Sequence, residues 1–242
     1  MLLRRITQHV KDQNWFAVFL DFFIVVAGIL IAFQITEWNE GRQEWLDAER
    51  FLERLDQDFA QQQERTKEVM AGHTQNLQAT ARLIEGVRTG VFDQGSLAYD
   101  IRIATLIYAP PSPSIAFQEL VASGRTELIR DEALRNALYE YNNYVSFLRS
   151  GYDHFSGPTQ EARNALLSAQ TRTTTGIPSA GFEDLGRTQN VDSTVLLNNP
   201  NIYAALQHNY FSHDNLLLVF RGVGGRIDEI QTLIDAAKEE AR

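Results

Sequence analysis

The chain has 242 residues, 44% of them hydrophobic, with a formal net charge of −9 and no cysteine. Residues 1–36 hold three basic and two acidic groups, which leaves 19 basic and 29 acidic groups, a net of −10, for residues 37–242. Such an acidic body repels nucleic acid and anionic lipid headgroups, and the lack of cysteine excludes disulfides and thiolate metal sites.

The first predicted element runs from Trp15 to Phe33, W-F-A-V-F-L-D-F-F-I-V-V-A-G-I-L-I-A-F, with Asp21 as its single charge. At the helical rise these residues cover roughly 28 Å, the hydrocarbon thickness of a bilayer. The lipid bilayer is therefore the first expected partner. The flanks are asymmetric. Arg4, Arg5 and Lys11 precede the run, whereas Glu37, Glu40, Glu44, Asp47 and Glu49 follow it with only Arg42 and Arg50. The positive-inside rule then gives residues 1–14 as a cytoplasmic N-terminus, 15–36 as a transmembrane helix and 37–242 as an extramembrane domain, which is periplasmic and held in the inner membrane if the source is a Gram-negative bacterium. The apolar run is longer than a signal-peptide core and no A-x-A-like site follows, so it reads as an uncleaved anchor.

Helical spacing places Ala17, Asp21, Gly28 and Ala32 on one stripe, with Gly28-x-x-x-Ala32 a small-xxx-small pattern that lets a second helix approach closely. A carboxylate within an apolar span is costly unless it is paired or reaches an interface. The stripe is the candidate contact with another membrane protein or with a second copy of the chain. Trp15 and Trp38-Asn39-Glu40 read as an interface girdle, with the indoles at headgroup level.

No proline occurs before Pro110, and the helix is expected to continue past the membrane. Two heptad sets can be traced: Trp45, Leu52, Phe59, Thr66, His73, Thr80, Val87, and Ala48, Leu55, Gln62, Val69, Asn76, Leu83. Their first half is apolar and their second half mixed, which suits a helix packed in a bundle better than a two-stranded coiled coil. Gly86 to Gly90 should end it.

Shorter elements follow. Ser96 is placed to cap a helix through Tyr108, which Pro110-Pro111-Ser112-Pro113 ends. Ser114 caps Ile115 to Val121, closed by Ser123-Gly124. Asp131 caps a helix whose stripe is Leu134, Leu138, Tyr141, Val145, Leu148, Tyr152, Phe155. Gly157-Pro158 should break the chain, with Pro158 opening a helix to about Gln170. Residues 171–199 show no period and read as a long loop. Asn199-Pro200 opens a final helix with Leu206, Tyr210, His213, Leu217, Phe220, Ile227, Ile230 and Ile234 on one side. Gly222-Val223-Gly224-Gly225 should interrupt that helix as a hinge or a close crossing; without a preceding strand or a Gly-Lys-Ser/Thr it is not a phosphate loop. The fold class is all-α: a transmembrane helix continuing into a long helix packed in an extramembrane helical bundle.

Two blocks carry a resemblance. Asp21 to Glu40, D-F-F-I-V-V-A-G-I-L-I-A-F-Q-I-T-E-W-N-E, resembles the opening signature of an uncharacterised bacterial family of single-span membrane proteins, a domain-of-unknown-function family reading G-E-x-x-x-V-x-x-G-I-L-I-A-L-x-I-x-x-W-N-E. Phe117 to Tyr141 is similar to that family's E-L-x-x-S-G-x-x-x-L-I-x-x-x-x-L-R-x-x-L-x-x-Y block. The resemblance implies shared structure at Asp21, Gly28, Trp38, Asn39, Glu40, Ser123 and Gly124. Asp21 stands for the family's glutamate and Leu20 for its preceding glycine. It implies no catalytic chemistry.

Candidate chemistry is sparse. His9, His73, His154, His208 and His213 form no H-E-x-x-H, and His208 and His213 lie about 140° apart around a helix. Ser212-His213-Asp214 are sequence neighbours pointing in different directions, unlike a triad. No enzyme, no cofactor and no metal site is expected. Two functions remain: an interaction or scaffold protein held by its membrane helix, and a periplasmic sensor whose 171–199 loop covers a ligand or partner surface among Tyr141, Tyr144 and Tyr152.

Overall fold

In a computed structural model the protein is described over residues 15–172 and 188–240, with side chains described outside 15–18 and 171–190. The expected cytoplasmic residues 1–14 and the side chains of Trp15 and Ala17 therefore lie outside the described set. Two compact units divide the chain, residues 1–51 and 52–242. Helix α1, Trp15–Thr89, is 75 residues long and contributes to both; each unit is taken by itself.

In the first unit the apolar segment of α1 has no buried share at all. Phe19, Phe22, Phe23, Ile24, Val25, Ile29, Leu30, Ile31, Phe33 and Ile35 are all exposed. A continuous run of large apolar side chains in contact with water would oppose the hydrophobic effect at every turn. This is one helix long and apolar enough to cross a membrane.

In the second unit the fold is helical. α1 ends at Thr89, and Gly90 follows with φ +73, a left-handed residue that stops the helix at the expected place. Then come α2 (Leu97–Ala104), α3 (Ile115–Ala122), a 3₁₀ turn (Thr126–Leu128), α4 (Glu132–Ser150) and α5 (Tyr152–Leu167). Strands β1 (Gln170–Arg172) and β2 (Thr188–Val191) pair antiparallel, and α6 (Ser193–Leu197) and α7 (Ile202–Glu240) complete the described chain.

Both heptad sets of α1 face inward only from Leu52 on, since Trp45 at their start is 37% exposed. From Leu52 onward, Leu52, Leu55, Phe59, Thr66, Val69, His73, Asn76, Thr80 and Leu83 are buried. α4 buries its stripe Leu134, Leu138, Tyr141, Val145 and Leu148 against them, with Phe59 and Tyr141 edge to face at 5.1 Å between ring centroids. α5 and α4 in turn line the length of α7. At the far end of α1, Ala79 and Leu83 meet Leu97, Ile101 and Ala104 of α2 and Leu196 and Leu206. Each such fully buried leucine or isoleucine contributes about 1.5–3 kcal/mol.

Local signals behave as their chemistry requires in most places. Ser114 Oγ accepts from Phe117 N at 3.1 Å, Asp131 Oδ1 accepts from Leu134 N at 3.0 Å, and Gly124 adopts φ +70. Asp131→Ala is expected to lower stability by about 1 kcal/mol, read as a shifted urea midpoint with an unchanged slope.

Six sequence expectations are corrected. Ser96 makes no cap bond; its hydroxyl lies 3.3 Å from Asp100 Oδ2, a carboxylate that also takes a two-pronged contact from Arg82, with Nη2 at 2.6 Å and Nε at 3.0 Å. α2 stops at Ala104, not at Tyr108. Gly151 rather than Gly157-Pro158 divides α4 from α5, so Tyr152 and Phe155 belong to the second helix and Pro158 lies inside it. The proline leaves the His154 carbonyl without its intrahelical donor, at an exposed residue. The period-free stretch contains a strand pair and α6, whose Asp192 cap accepts from Thr194 N at 2.9 Å. Finally, Gly222 to Gly225 stay helical within α7, and Tyr210 is 37% exposed rather than buried. A Cβ at Gly222 would stand 3.5 Å from Tyr144 Oη and one at Gly224 3.8 Å from Thr66 Cγ2, so the glycines bring neighbours to contact distance without breaking the helix. Burial of Val223 and Ile227 outweighs the roughly 1 kcal/mol cost of each glycine.

Candidate functional site

The described residues of the expected stripe are exposed, as is most of the apolar run around them. Asp21, Gly28 and Ala32 are exposed, and a Cβ at Gly28 would meet nothing within 4 Å, so space beside it is open to another helix. Thr36 turns its hydroxyl back onto the Ala32 carbonyl at 3.0 Å, which removes its own polarity from the surface. Trp38, Asn39 and Glu40 are exposed, Trp38 at 69%.

The three candidate tyrosines sit in three settings. Tyr141 is buried, and its hydroxyl donates to Gln62 Oε1 or to the Ser112 carbonyl at 3.2 Å. It lines a cavity of about 200 Å³ together with Asp58, Val69, Ala109, Pro111 and Phe220. Tyr144 lies under the Arg226 guanidinium, 4.1 Å from its ring centroid. Tyr152 donates to the Tyr108 carbonyl. The described part of the 171–199 stretch packs elsewhere: Val191 and Leu196 join Leu83 and Ile101, whereas Tyr152 joins Val69, Leu216 and Phe220.

What the sequence did not single out is a polar seam between α1 and α7. Helix termini leave carbonyls without intrahelical donors. α2 ends in the protein interior, and two buried amides serve it: Asn76 Nδ2 donates to Ile103 O at 2.9 Å, and Asn209 Nδ2 donates to Ala104 O at 2.9 Å. Asn209 Nδ2 also donates to Thr80 Oγ1 at 3.1 Å, and Thr80 Oγ1 donates to Asn76 Oδ1 at 3.2 Å. One turn further along lies the most unusual pair. His73 of α1 and His213 of α7 are hydrogen-bonded through Nδ1 atoms 2.7 Å apart, with relative exposures of 0% and 1%. Thr159 Oγ1 of α5 stands 3.1 Å from His213 Nε2, and His73 Nε2 is buried with no partner.

The nitrogen spacing is that of a hydrogen bond. Two imidazoles on one tetrahedral zinc at bond lengths of about 2.05 Å would hold their nitrogens about 3.3 Å apart. Around the pair stand Tyr108, whose ring meets His73 edge-on at 4.9 Å, and Phe220 at 5.5 Å. This apolar surround disfavours imidazolium. Burial lowers His73 from 6.5 to about 4, and burial with the charge of His73 lowers His213 to about 3. Either tautomer leaves His73 Nε2 unsatisfied: as a bare lone pair if His73 donates, as an orphan N–H if His213 donates. The seam was half legible. His73, Asn76 and Thr80 fall on the heptads of α1 and His213 on the stripe of α7, and polar residues at inward positions of two helices are the signal that could have joined them.

The depressed values fix a sign. The unfolded chain protonates both histidines below about 6.5 while the folded chain keeps them neutral, so stability is full above that pH and is lost as pH falls toward 4. For His73 the loss is as much as about 3 kcal/mol, to be read as a falling urea midpoint of the full chain between pH 7 and pH 4.5. The same series in His73→Phe should be flatter.

Comparison with family models, with curated proteins and with solved structures finds no match. The functional reading therefore stands on residues and geometry.

Proposed function

We propose that this chain is a single-pass, membrane-anchored helical interaction protein, held by its α1 anchor to another membrane protein or to a second copy of itself. The single observation that carries the reading is the exposed apolar run of α1 from Phe19 to Ile35 with one acid, Asp21, in line with Gly28 and Ala32. Lipid covers such a surface at no polar cost. An acid on it favours a partner donor, and small residues three and four positions apart favour close helix approach. The charge bias across the span supports a cytoplasmic N-terminus and a periplasmic body in the inner membrane of a Gram-negative bacterium, and the resemblance of the two blocks supports the single-span architecture.

Purification of the full chain in mild detergent beside Asp21→Asn and Gly28→Leu tests it. A defined membrane partner or an oligomer that both variants lose supports the reading; a monomer without partner, unchanged in both variants, overturns it. Topology is read separately. The chain has no cysteine, so Gln118→Cys gives a single thiol. Labelling of that thiol by an impermeant maleimide in spheroplasts fits a periplasmic body, and labelling only after lysis places it in the cytoplasm.

A sensor or ligand-binding module is the second reading. The cavity beside Tyr141 and the buried histidine pair favour it. Its output would pass through a partner helix at Asp21.

A further inference from the structure

Residues Thr105–Ser114, between α2 and α3, form no regular helix or strand, and Tyr108 is the side chain they lay over His73. The ring is half-buried, in contrast to the sealed imidazoles. It fits because residue 72 is glycine: a Cβ there would collide with the Tyr108 ring. The segment is tied by the Tyr152 hydroxyl on the Tyr108 carbonyl and by Asn76 Nδ2 on the Leu106 carbonyl at 3.3 Å. On the same imidazole that the Tyr108 ring meets edge-on, Nε2 is buried and unpartnered. A buried nitrogen without a partner is a place where the folded state forgoes a hydrogen bond, and it gains one as soon as water or a proton reaches it.

We propose that Tyr108 is a lid over a proton-binding site at His73 Nε2, so that mild acid swings the 105–114 segment outward. The proton adds to the Nε2 lone pair of the tautomer in which His73 Nδ1–H donates to His213 Nδ1. The product is a His73 imidazolium that needs water at Nε2, which only a displaced Tyr108 admits. Thr159 of α5, Phe220 of α7 and Tyr108 meet the pair, and Phe155, Met70 and Ser212 stand in the packing around them. Tyr108, and Tyr152 behind it, are the titratable ones, and burial raises both, so they stay neutral in the same range. The nearby charges Glu161, His208 and Asp214 are exposed and point to solvent. Opening also reshapes the adjacent cavity, since Ala109 and Phe220 line it and flank Tyr108 and His73. The lid is independent of which side of the membrane the body occupies.

Amide exchange of the full chain in detergent micelles, corrected for the intrinsic pH dependence, tests this at pH 7 and pH 5. With His73 shifting between about 4 closed and about 6.5 open, the open fraction of the 105–114 amides rises about twentyfold, while Leu216–Val223 of α7 keep their protection. His73→Phe abolishes most of the rise, and Tyr108→Ala is open already at pH 7. Equal exchange at both pH values, or loss of protection in 105–114 and α7 together, overturns the proposal. Should His73→Phe fail to fold by circular dichroism, the contrast between the two segments in the unaltered chain decides alone.

Discussion

Two arginines in the middle of the anchor, Val26→Arg with Ile29→Arg, are expected to move the protein from the membrane pellet to the supernatant on alkaline carbonate extraction. Each arginine near the centre of a span costs about 3 kcal/mol relative to an aliphatic residue on insertion scales, so the pair weakens insertion by about 6 kcal/mol, a factor on the order of 10⁴. Neither position is four residues from Asp21, which denies the new charges an i,i+4 partner. The effect should be confined to the anchor. Val91→Arg, at a site 74% exposed in the second unit, should extract like the unaltered chain. A double variant that stays in the pellet would remove lipid as the cover of the apolar run.

The second large effect lies in the seam. Asn209→Ala is expected to cost about 3–4 kcal/mol, seen as a lower urea midpoint by circular dichroism. Asn209 is fully buried, and its amide serves the Ala104 carbonyl and the Thr80 hydroxyl together. Truncation leaves that carbonyl dry and unpaired and adds a cavity, and the two penalties combine. Asn209→Leu fills the volume but still orphans the carbonyl, so it should recover only part of the loss. Asn209→Asp should be at least as damaging as alanine, because a carboxylate oxygen would face a carbonyl oxygen. An alanine variant within 0.5 kcal/mol of the parent would mean that water replaces the amide and that the end of α2 is wetter than its burial implies.

These variants probe features of unequal legibility. Short-range signals survived into the structure: Ser114, Asp131, Gly90 and Gly124 act where they stand because a cap or a left-handed stop needs only the next four residues. Local signals failed where a distant group competed. The Ser96 hydroxyl turned to Asp100, which Arg82 had already drawn in from α1. Gly222 to Gly225 remained helical because Val223 and Ile227 are buried along α7. Pro158, read as a helix start, sits inside α5 because Gly151 had already turned the chain.

By itself the sequence determined the apolar run of α1 with its one acid, the inward heptads of α1 beyond Leu52 and the stripe of α4, since each depends on the pattern within one segment. Only the tertiary structure decided what the polar interior positions do. His73 and His213 are 140 residues apart, and Asn209 meets a carbonyl 105 residues before it. A buried polar group must find its partner wherever the packed helices bring one, and sequence spacing carries no record of that distance in space.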